Sequence, residues 1–147
     1  SRLATLGAQA LLDSLPGIAE QNSGAEQQDD TQACYAHKLE KSEGLIDWQQ
    51  PASAIALQIR GLSPWPVAYT HLNGATLRIW AAEATTQSAG NAPAGSIVAT
   101  DKQAIYVACG THILKLLNIQ LPGSKAMDTR AVLNAKRELF ADGTQLG

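Results

Sequence analysis

The chain has 147 residues, of which 45% are hydrophobic and 16% are charged, and its formal net charge is −2 at pH 7. This length suffices for one domain with its own core but not for two domains of full size. The composition excludes a disordered tail and a coiled coil, and no apolar run approaches the ~20 residues needed to cross a bilayer. The sequence begins without the basic region and cleavage site of a signal peptide, and its two cysteines suit a reducing compartment, so we expect a cytoplasmic protein that does not bind membranes.

Charge is distributed unevenly along the chain. Residues 1–33 contain one basic and five acidic side chains, whereas residues 34–147 contain ten basic and eight acidic ones. Residues 34–147 are therefore mildly basic, and the 33 residues before them are acidic. This balance permits contact with a polyanion but does not by itself indicate one.

The first 33 residues predict a helix and a linker. Leucines recur at helical spacing over residues 3–15, and the Pro16-Gly17 pair should end the helix. We interpret residues 1–17 as the terminal helix of a domain that precedes this chain. Residues 18–33 contain almost no large apolar side chain, and this composition predicts a linker or an extended arm.

The body, residues 34–147, begins with two short predicted elements. Residues 34–39 alternate crudely between apolar and polar side chains and form a candidate strand. Apolar residues at helical spacing after Pro51 predict a helix of about ten residues, with Gly61 near its end.

A β-hairpin is the clearest local signal in the sequence. Residues 67–72 and 75–80 alternate as strands do, and Asn73-Gly74 lies between them. Asn-Gly readily supplies the two positive φ angles of a type I′ turn, which is the connection that best matches the twist of a hairpin.

Three more strands and a helix complete the predicted fold. The strands span residues 96–100, 104–109 and 113–120, and Asp128 can cap a helix that continues to Lys136. Short strands with tight turns favour a barrel over a sandwich. We therefore predict a mainly β protein: a small open antiparallel barrel, OB-like, with an inserted helix, a short C-terminal helix, and the N-terminal helix with its linker.

Catalytic motifs are missing from the sequence. It contains no nucleophile elbow, phosphate loop, dinucleotide fingerprint or zinc-protease motif. His37, His71 and His112 are widely spread, and neither Cys34 nor Cys109 has a basic residue placed to activate it. We therefore expect no catalytic, metal-binding or cofactor-binding residue in this chain.

Tryptophans and basic residues leave two interpretations open. Trp48, Trp65 and Trp80 can be core or rim residues, or they can form a stacking platform for bases. Trp65 lies between two prolines that fix its backbone. If the barrel brings the chain ends together, six cations would share one face that could bind phosphates: Lys38, Lys41, Lys125, Arg130, Lys136 and Arg137.

Several segments, taken together and in order, are similar to one known family. They are Tyr-Ala-His-Lys-Leu-Glu-Lys-Ser-Glu at 35–43, Ser-Pro-Trp-Pro at 63–66, Leu-Arg-Ile-Trp-Ala at 77–81, Gly-Ser-Lys-Ala-Met at 123–127, Leu-Asn at 133–134, and Gly-Thr-Gln-Leu-Gly at 143–147. These segments resemble the C-terminal domain of methionyl-tRNA formyltransferases, and the helix at 3–15 resembles the last helix of that family's catalytic domain. Ser63 replaces a usual Asn, and Ser124 replaces a frequent second Lys.

This resemblance implies a function for the intact family enzyme. It transfers a formyl group from 10-formyltetrahydrofolate to the amino group of methionine on initiator tRNA. The folate site and the catalytic residues belong to an N-terminal domain whose motifs do not occur in this sequence. The implied partners are initiator Met-tRNA and that catalytic domain; we expect a monomer that contains no cofactor and has no activity of its own.

Candidate tRNA-binding residues also follow from the resemblance. Lys38, Lys136 and Arg137 occupy basic positions on the tRNA side, and Lys41 and Lys125 are further candidates. Two alternatives stay open. The chain could be the equivalent domain of another formyltransferase or hydrolase that uses 10-formyltetrahydrofolate, or a non-enzymatic barrel that binds proteins.

Overall fold

A computed structural model describes residues 2–20, 24 and 26–147 of the chain. The chain divides into two compact units, of which the first ends at His37 and the second extends from Lys38 to Gly147. Part of the predicted linker, residues 21–23 and 25, lies outside the described residues.

The first unit contains helix α1, Arg2–Ala19, none of whose residues is buried. The prediction that Pro16-Gly17 ends this helix was wrong. The helical hydrogen bonds resume after the proline, because the carbonyl of Pro16 accepts a hydrogen bond from the Glu20 N–H at 3.0 Å. Along this helix the large apolar side chains are exposed.

A strand at residues 34–39 was also predicted, and this prediction was wrong. The backbone there belongs to no strand, and every side chain is exposed, Tyr35 to 91%. An alternating segment is stabilised as a strand only when one of its faces packs on a core.

Within residues 38–147 the second unit is built on one antiparallel sheet of six strands in the order β1-β2-β5-β4-β3, with β6 paired to β5. The strands are β1 (Ala68–Leu72), β2 (Ala75–Ala84), β3 (Ile97–Thr100), β4 (Ile105–Ala108), β5 (Ile113–Gln120) and β6 (Met127–Asp128). The predicted mainly β fold is confirmed, and the sheet does not close on itself.

The β1–β2 hairpin forms as predicted. Asn73 and Gly74 have φ angles of 50° and 77° and join strands whose register pairs Leu72 with Ala75 and Ala68 with Ile79. This register points alternate side chains of both strands to the same face of the sheet.

The C-terminal segment lies between the two edge strands of the open sheet. The N–H of Gly147 donates to the carbonyl of His71 on β1 at 3.0 Å, and the N–H of Ile97 on β3 donates to the carbonyl of Thr144 at 2.9 Å. This segment satisfies backbone groups on both edges and so protects them from pairing with another chain.

Two helices cover the sheet. Helix α2, Ala52–Gly61, matches the predicted ten residues and buries Ile55 and Ile59 against β2 and β5. Helix α3, Thr129–Lys136, begins as predicted at Asp128, whose carboxylate accepts a hydrogen bond from the Arg130 N–H at 2.9 Å. Within the described residues, no helix combines the length and the apolarity needed to span a membrane.

Candidate nucleic-acid interface

The outer face of strands β1, β2 and β5 carries polar and aromatic side chains. On β2, Leu77 and Ile79 are buried and Arg78 between them is exposed. The strand register places Arg78 beside Tyr69 on β1 and Gln120 on β5. One row of the sheet therefore presents an aromatic ring, a guanidinium group and an amide side by side on its outer surface.

A cleft of about 550 Å³ opens over this row, and we call it the tryptophan cleft. Trp65, which is 54% exposed, lines the cleft together with the half-buried Tyr69 and Trp80. The Trp80 indole N–H donates to Gln120 Oε1 at 3.0 Å. The cleft therefore combines an exposed indole ring with a second indole whose orientation is fixed.

Lys41 reaches the same cleft from a 3-10 turn, Lys41–Gly44. Gly44 makes this packing possible, because a Cβ atom there would lie 2.6 Å from the carbonyl oxygen of Val67. Val67 also lines the cleft and has a φ of 71°. Such a backbone conformation costs a non-glycine residue about 1–3 kcal/mol and occurs preferentially at functional sites.

Trp48, by contrast, is part of the core. Its ring is 5% exposed, and its indole N–H donates to the hydroxyl of the buried Thr70 at 3.0 Å. Of the two interpretations offered for the tryptophans, core packing therefore holds for Trp48, whereas Trp65 and Trp80 lie on the outer face.

Gln120 connects the tryptophan cleft to the C-terminal cations. Its amide nitrogen donates to the carbonyl of Ser124 at 2.8 Å, which holds the turn that carries Lys125. Lys125 and Lys136 line one small cleft of about 70 Å³ between this turn and α3. The structure thus brings two of the predicted cations together, and we call them the C-terminal lysine pair.

The remaining predicted cations have other surroundings. The Arg137 guanidinium donates to the carbonyl oxygen of Thr100 at 2.9 Å and to its hydroxyl oxygen at 3.2 Å, so this side chain ties the C-terminal region to β3. Lys38 is exposed and lines neither the tryptophan cleft nor the cleft of the lysine pair. The five predicted residues do not form a single cluster: Lys41 lines one cleft, and Lys125 with Lys136 lines another.

Sequence reasoning did not place Tyr69, Arg78 and Gln120 among the candidate site residues. The hairpin pattern contained a signal for the first two, because outward positions of paired strands share a face once the Asn-Gly turn sets the register. No comparable local signal existed for Gln120, whose position depends on the β2–β5 pairing and on the register shifts at Ile79 and Ala81.

Comparison with known proteins identifies the fold family. The model of the family described as formyl transferase, C-terminal domain, matches residues 38–137. The chain belongs to this family. The resemblance seen in the sequence is thereby confirmed, and the match covers the sheet, α2, α3 and every candidate residue on the two clefts.

Individual relatives of this formyl transferase C-terminal domain are longer than the chain. The methionyl-tRNA formyltransferase of Nitrosococcus oceani is 47% identical over 135 residues, which cover 91% of this chain and 42% of that protein. The enzyme of Pseudomonas fluorescens is 42% identical over 146 residues, which cover 99% of this chain and 45% of that protein. The chain therefore spans less than half the length of these relatives.

Solved structures support the fold assignment. A crystal structure of HypX from Aquifex aeolicus in complex with tetrahydrofolic acid matches with a TM-score of 0.60 and 14% identity, covering 87% of this chain and 22% of that one. A variant of HypX matches with a TM-score of 0.63 and 15% identity, covering 88% of this chain and 24% of the other. At these identities the likeness concerns the fold alone.

Potential catalytic groups of the formyl transferase C-terminal domain are dispersed or buried. Among the described residues, no three His, Cys, Asp or Glu side chains are grouped so that they could hold a metal ion. His71 contacts Tyr69 edge to face, with ring centroids 5.9 Å apart. Burial raises the pKa of the Cys109 thiol to about 11, which keeps this group in its unreactive protonated form at neutral pH.

The two cysteines should therefore differ in reactivity. Cys34 is exposed and Cys109 is buried, and at about pH 8 a thiol with a pKa near 11 is only about one part in a thousand thiolate. We expect a thiol-specific reagent to label one cysteine rapidly in the native chain and two in urea, with the rapid phase absent in Cys34→Ser. Equal labelling rates for both thiols in the native chain would contradict the burial of Cys109.

Proposed function

We propose that this chain is the tRNA-holding part of a methionyl-tRNA formyltransferase. In this proposal the complete enzyme transfers a formyl group from 10-formyltetrahydrofolate to the amino group of methionine on initiator tRNA. Relatives that are 42–47% identical carry the name methionyl-tRNA formyltransferase, which supports this activity over that of another formyltransferase or hydrolase. Because initiator tRNA is used in translation, we place the protein in the cytoplasm. That the chain is a monomer stays a prediction.

The observation that carries the proposal is that four cations line two clefts that are connected through Gln120. Lys41 and Arg78 line the tryptophan cleft, and Gln120 connects that cleft to the turn of the C-terminal lysine pair. Among the described residues, none of these four cationic side chains takes part in a hydrogen bond or an ion pair. Their ammonium and guanidinium groups are therefore available to phosphate oxygens.

Acidic side chains near these cations limit the expected affinity. Glu40 and Glu43 flank Lys41 in its turn, and Asp128 lies at the start of α3. Four cations against these carboxylates predict moderate binding that weakens steeply as salt increases, since each phosphate contact releases counterions. Phosphate contacts of this kind orient a tRNA without reading its sequence.

The chemical step belongs, in this proposal, to residues outside the 147 of this chain. The donor substrate 10-formyltetrahydrofolate would be bound there as well. The chain alone should therefore bind initiator tRNA without formylating it. The tRNA contacts expected from the resemblance remain Lys38, Lys41, Lys125, Lys136 and Arg137. We add Arg78 because it lines the tryptophan cleft. Arg137 is expected to contribute least, because its guanidinium already donates a hydrogen bond to Thr100.

Titration with labelled initiator tRNA tests this function. At about 50 mM salt we expect saturable binding, and between about 50 and 200 mM salt we expect the affinity to fall by more than tenfold if four phosphates are contacted. Formylated Met-tRNA should not accumulate when the chain is incubated with 10-formyltetrahydrofolate. Absence of binding at low salt would favour a protein-binding barrel, and formylation by the chain alone would overturn the division of labour.

A further inference from the structure

We infer that the tryptophan cleft is a binding site for an unpaired nucleotide, whose base stacks on Trp65 and whose phosphate contacts Lys41 and Arg78. This inference rests on the proposed function, because it specifies which kind of RNA element the same outer face takes. The ligand class is single-stranded RNA, including a loop or an unpaired end of a folded RNA, without a strong preference for one base.

The indole ring of Trp65 is unusually exposed for an aromatic side chain of this unit. Most large apolar side chains of the unit that begins at Lys38 are buried, yet Trp65 is 54% exposed and lines a cleft of about 550 Å³. Pro64 and Pro66 fix its backbone on both sides, which lowers the entropy lost when a ligand contacts the ring. An exposed ring held in this way is a stacking surface for another aromatic ring.

Polar and cationic side chains line the same cleft as the Trp65 ring. Arg78 and Gln120 lie side by side in the strand register, and Lys41 also lines the cleft. The side-chain oxygen Oε1 of Gln120 accepts a hydrogen bond from the Trp80 indole N–H, and its Nε2 donates to the Ser124 carbonyl. These two hydrogen bonds hold the Gln120 side chain in place. A cleft lined by an aromatic ring, a fixed polar side chain and two cations matches a base attached to its phosphates.

These two features favour an unpaired nucleotide over a duplex. A duplex offers its phosphates to Lys41 and Arg78, but its interior bases are paired and stacked on one another, so they cannot reach the Trp65 ring. An unpaired base can stack on the ring, and such stacking strengthens binding by about 5- to 150-fold per base with little dependence on sequence. The tryptophan cleft should therefore discriminate single strands from duplexes through Trp65 and not through its cations.

Fluorescence anisotropy with two labelled probes tests the site in the full 147-residue chain. The probes are a single-stranded RNA of about 12 nucleotides in mixed sequence and the blunt duplex of the same sequence. We expect Trp65→Leu, which keeps apolar bulk but removes the extended ring, to weaken single-strand binding about tenfold and duplex binding less than about twofold. Trp65→Phe should restore most of the single-strand affinity because it restores a ring face.

Leu57→Ala is the matched control. Leu57 is 56% exposed, nearly the same as Trp65, but it lies on α2 and does not line the tryptophan cleft. We expect this variant to bind both probes as the unchanged chain does. The unfolding transition of each variant in urea verifies that it is folded at the temperature of the measurement.

The outcomes separate this site from the proposed function. Equal losses for single strand and duplex in Trp65→Leu, or no loss for either, would overturn the nucleotide site, while binding of initiator tRNA by the unchanged chain would still support the proposed function. Failure of the unchanged chain to bind initiator tRNA and both probes at low salt would remove the proposed function as well. Selective loss for the single strand, restored by Trp65→Phe, supports the site.

Discussion

Reversal of both charges in the C-terminal lysine pair, Lys125→Glu with Lys136→Glu, is expected to weaken binding of initiator tRNA roughly 10- to 100-fold at about 0.1 M salt. The two lysines line the same cleft, so a phosphate that reaches one of them lies near the other. A glutamate in each place removes a cation and adds repulsion. The slope of log affinity against log salt should also become shallower by about two, because about one counterion is released per phosphate contact.

The control variant has the same change in net charge, but at two positions outside both clefts. Arg60 on α2 and Lys102 in the β3–β4 turn are exposed, and neither lines the tryptophan cleft or the cleft of the lysine pair. Arg60→Glu with Lys102→Glu should reduce the affinity far less and leave the salt slope nearly unchanged. If the two double variants weaken binding equally, overall charge and not the lysine pair accounts for the interaction.

Replacement of Phe140 by Ala is expected to lower the free energy of unfolding by about 3–5 kcal/mol. Phe140 is the single phenylalanine of the chain, it is fully buried, and it packs in the same core cluster as Leu133 of α3 and Leu146 of the C-terminal segment. Loss of the ring leaves a cavity where these elements meet. Since a small domain is stable by only about 5–15 kcal/mol in total, this change should shift the unfolding midpoint strongly.

Urea unfolding followed by tryptophan fluorescence measures this loss. We expect the midpoint of Phe140→Ala to fall with little change in the dependence on urea, while Leu57→Ala, at an exposed site, changes the free energy of unfolding by less than about 0.5 kcal/mol. A loss below about 1 kcal/mol for Phe140→Ala would mean that this ring does not occupy the core as the structure has it.

Elements with a local cause could be predicted from the sequence. The β1–β2 hairpin follows from Asn73-Gly74, whose φ angles of 50° and 77° are those that the turn requires. Helix α2 follows from apolar spacing after Pro51, and α3 follows from the carboxylate of Asp128 that caps it. In each case the deciding interaction lies within a few residues, so a single sequence contains it.

Features that depend on distant partners could not be predicted in this way. The Arg137 guanidinium donates to Thr100, a residue 37 positions away, and no local pattern indicates this contact; its contact with a phosphate stays a prediction. The segment at 34–39 alternates as a strand does, yet no strand pairs with it. Helix α1 continues through Pro16 to Ala19, although a proline inside a helix usually kinks or ends it. The tryptophan cleft depends on Gln120, whose place beside Arg78 is set by long-range strand pairing.

The central claim is that the outer face of β1, β2 and β5 binds initiator tRNA, and the three indole N–H signals in a two-dimensional ¹H–¹⁵N NMR spectrum test it most directly. Trp65 and Trp80 line the tryptophan cleft, whereas the Trp48 indole is bonded to Thr70 inside the core and serves as an internal control. We expect added initiator tRNA to shift the Trp65 and Trp80 signals at low salt and to leave the Trp48 signal unshifted. The two shifts should become smaller as the salt concentration increases. Binding that leaves Trp65 and Trp80 unshifted would contradict the claim.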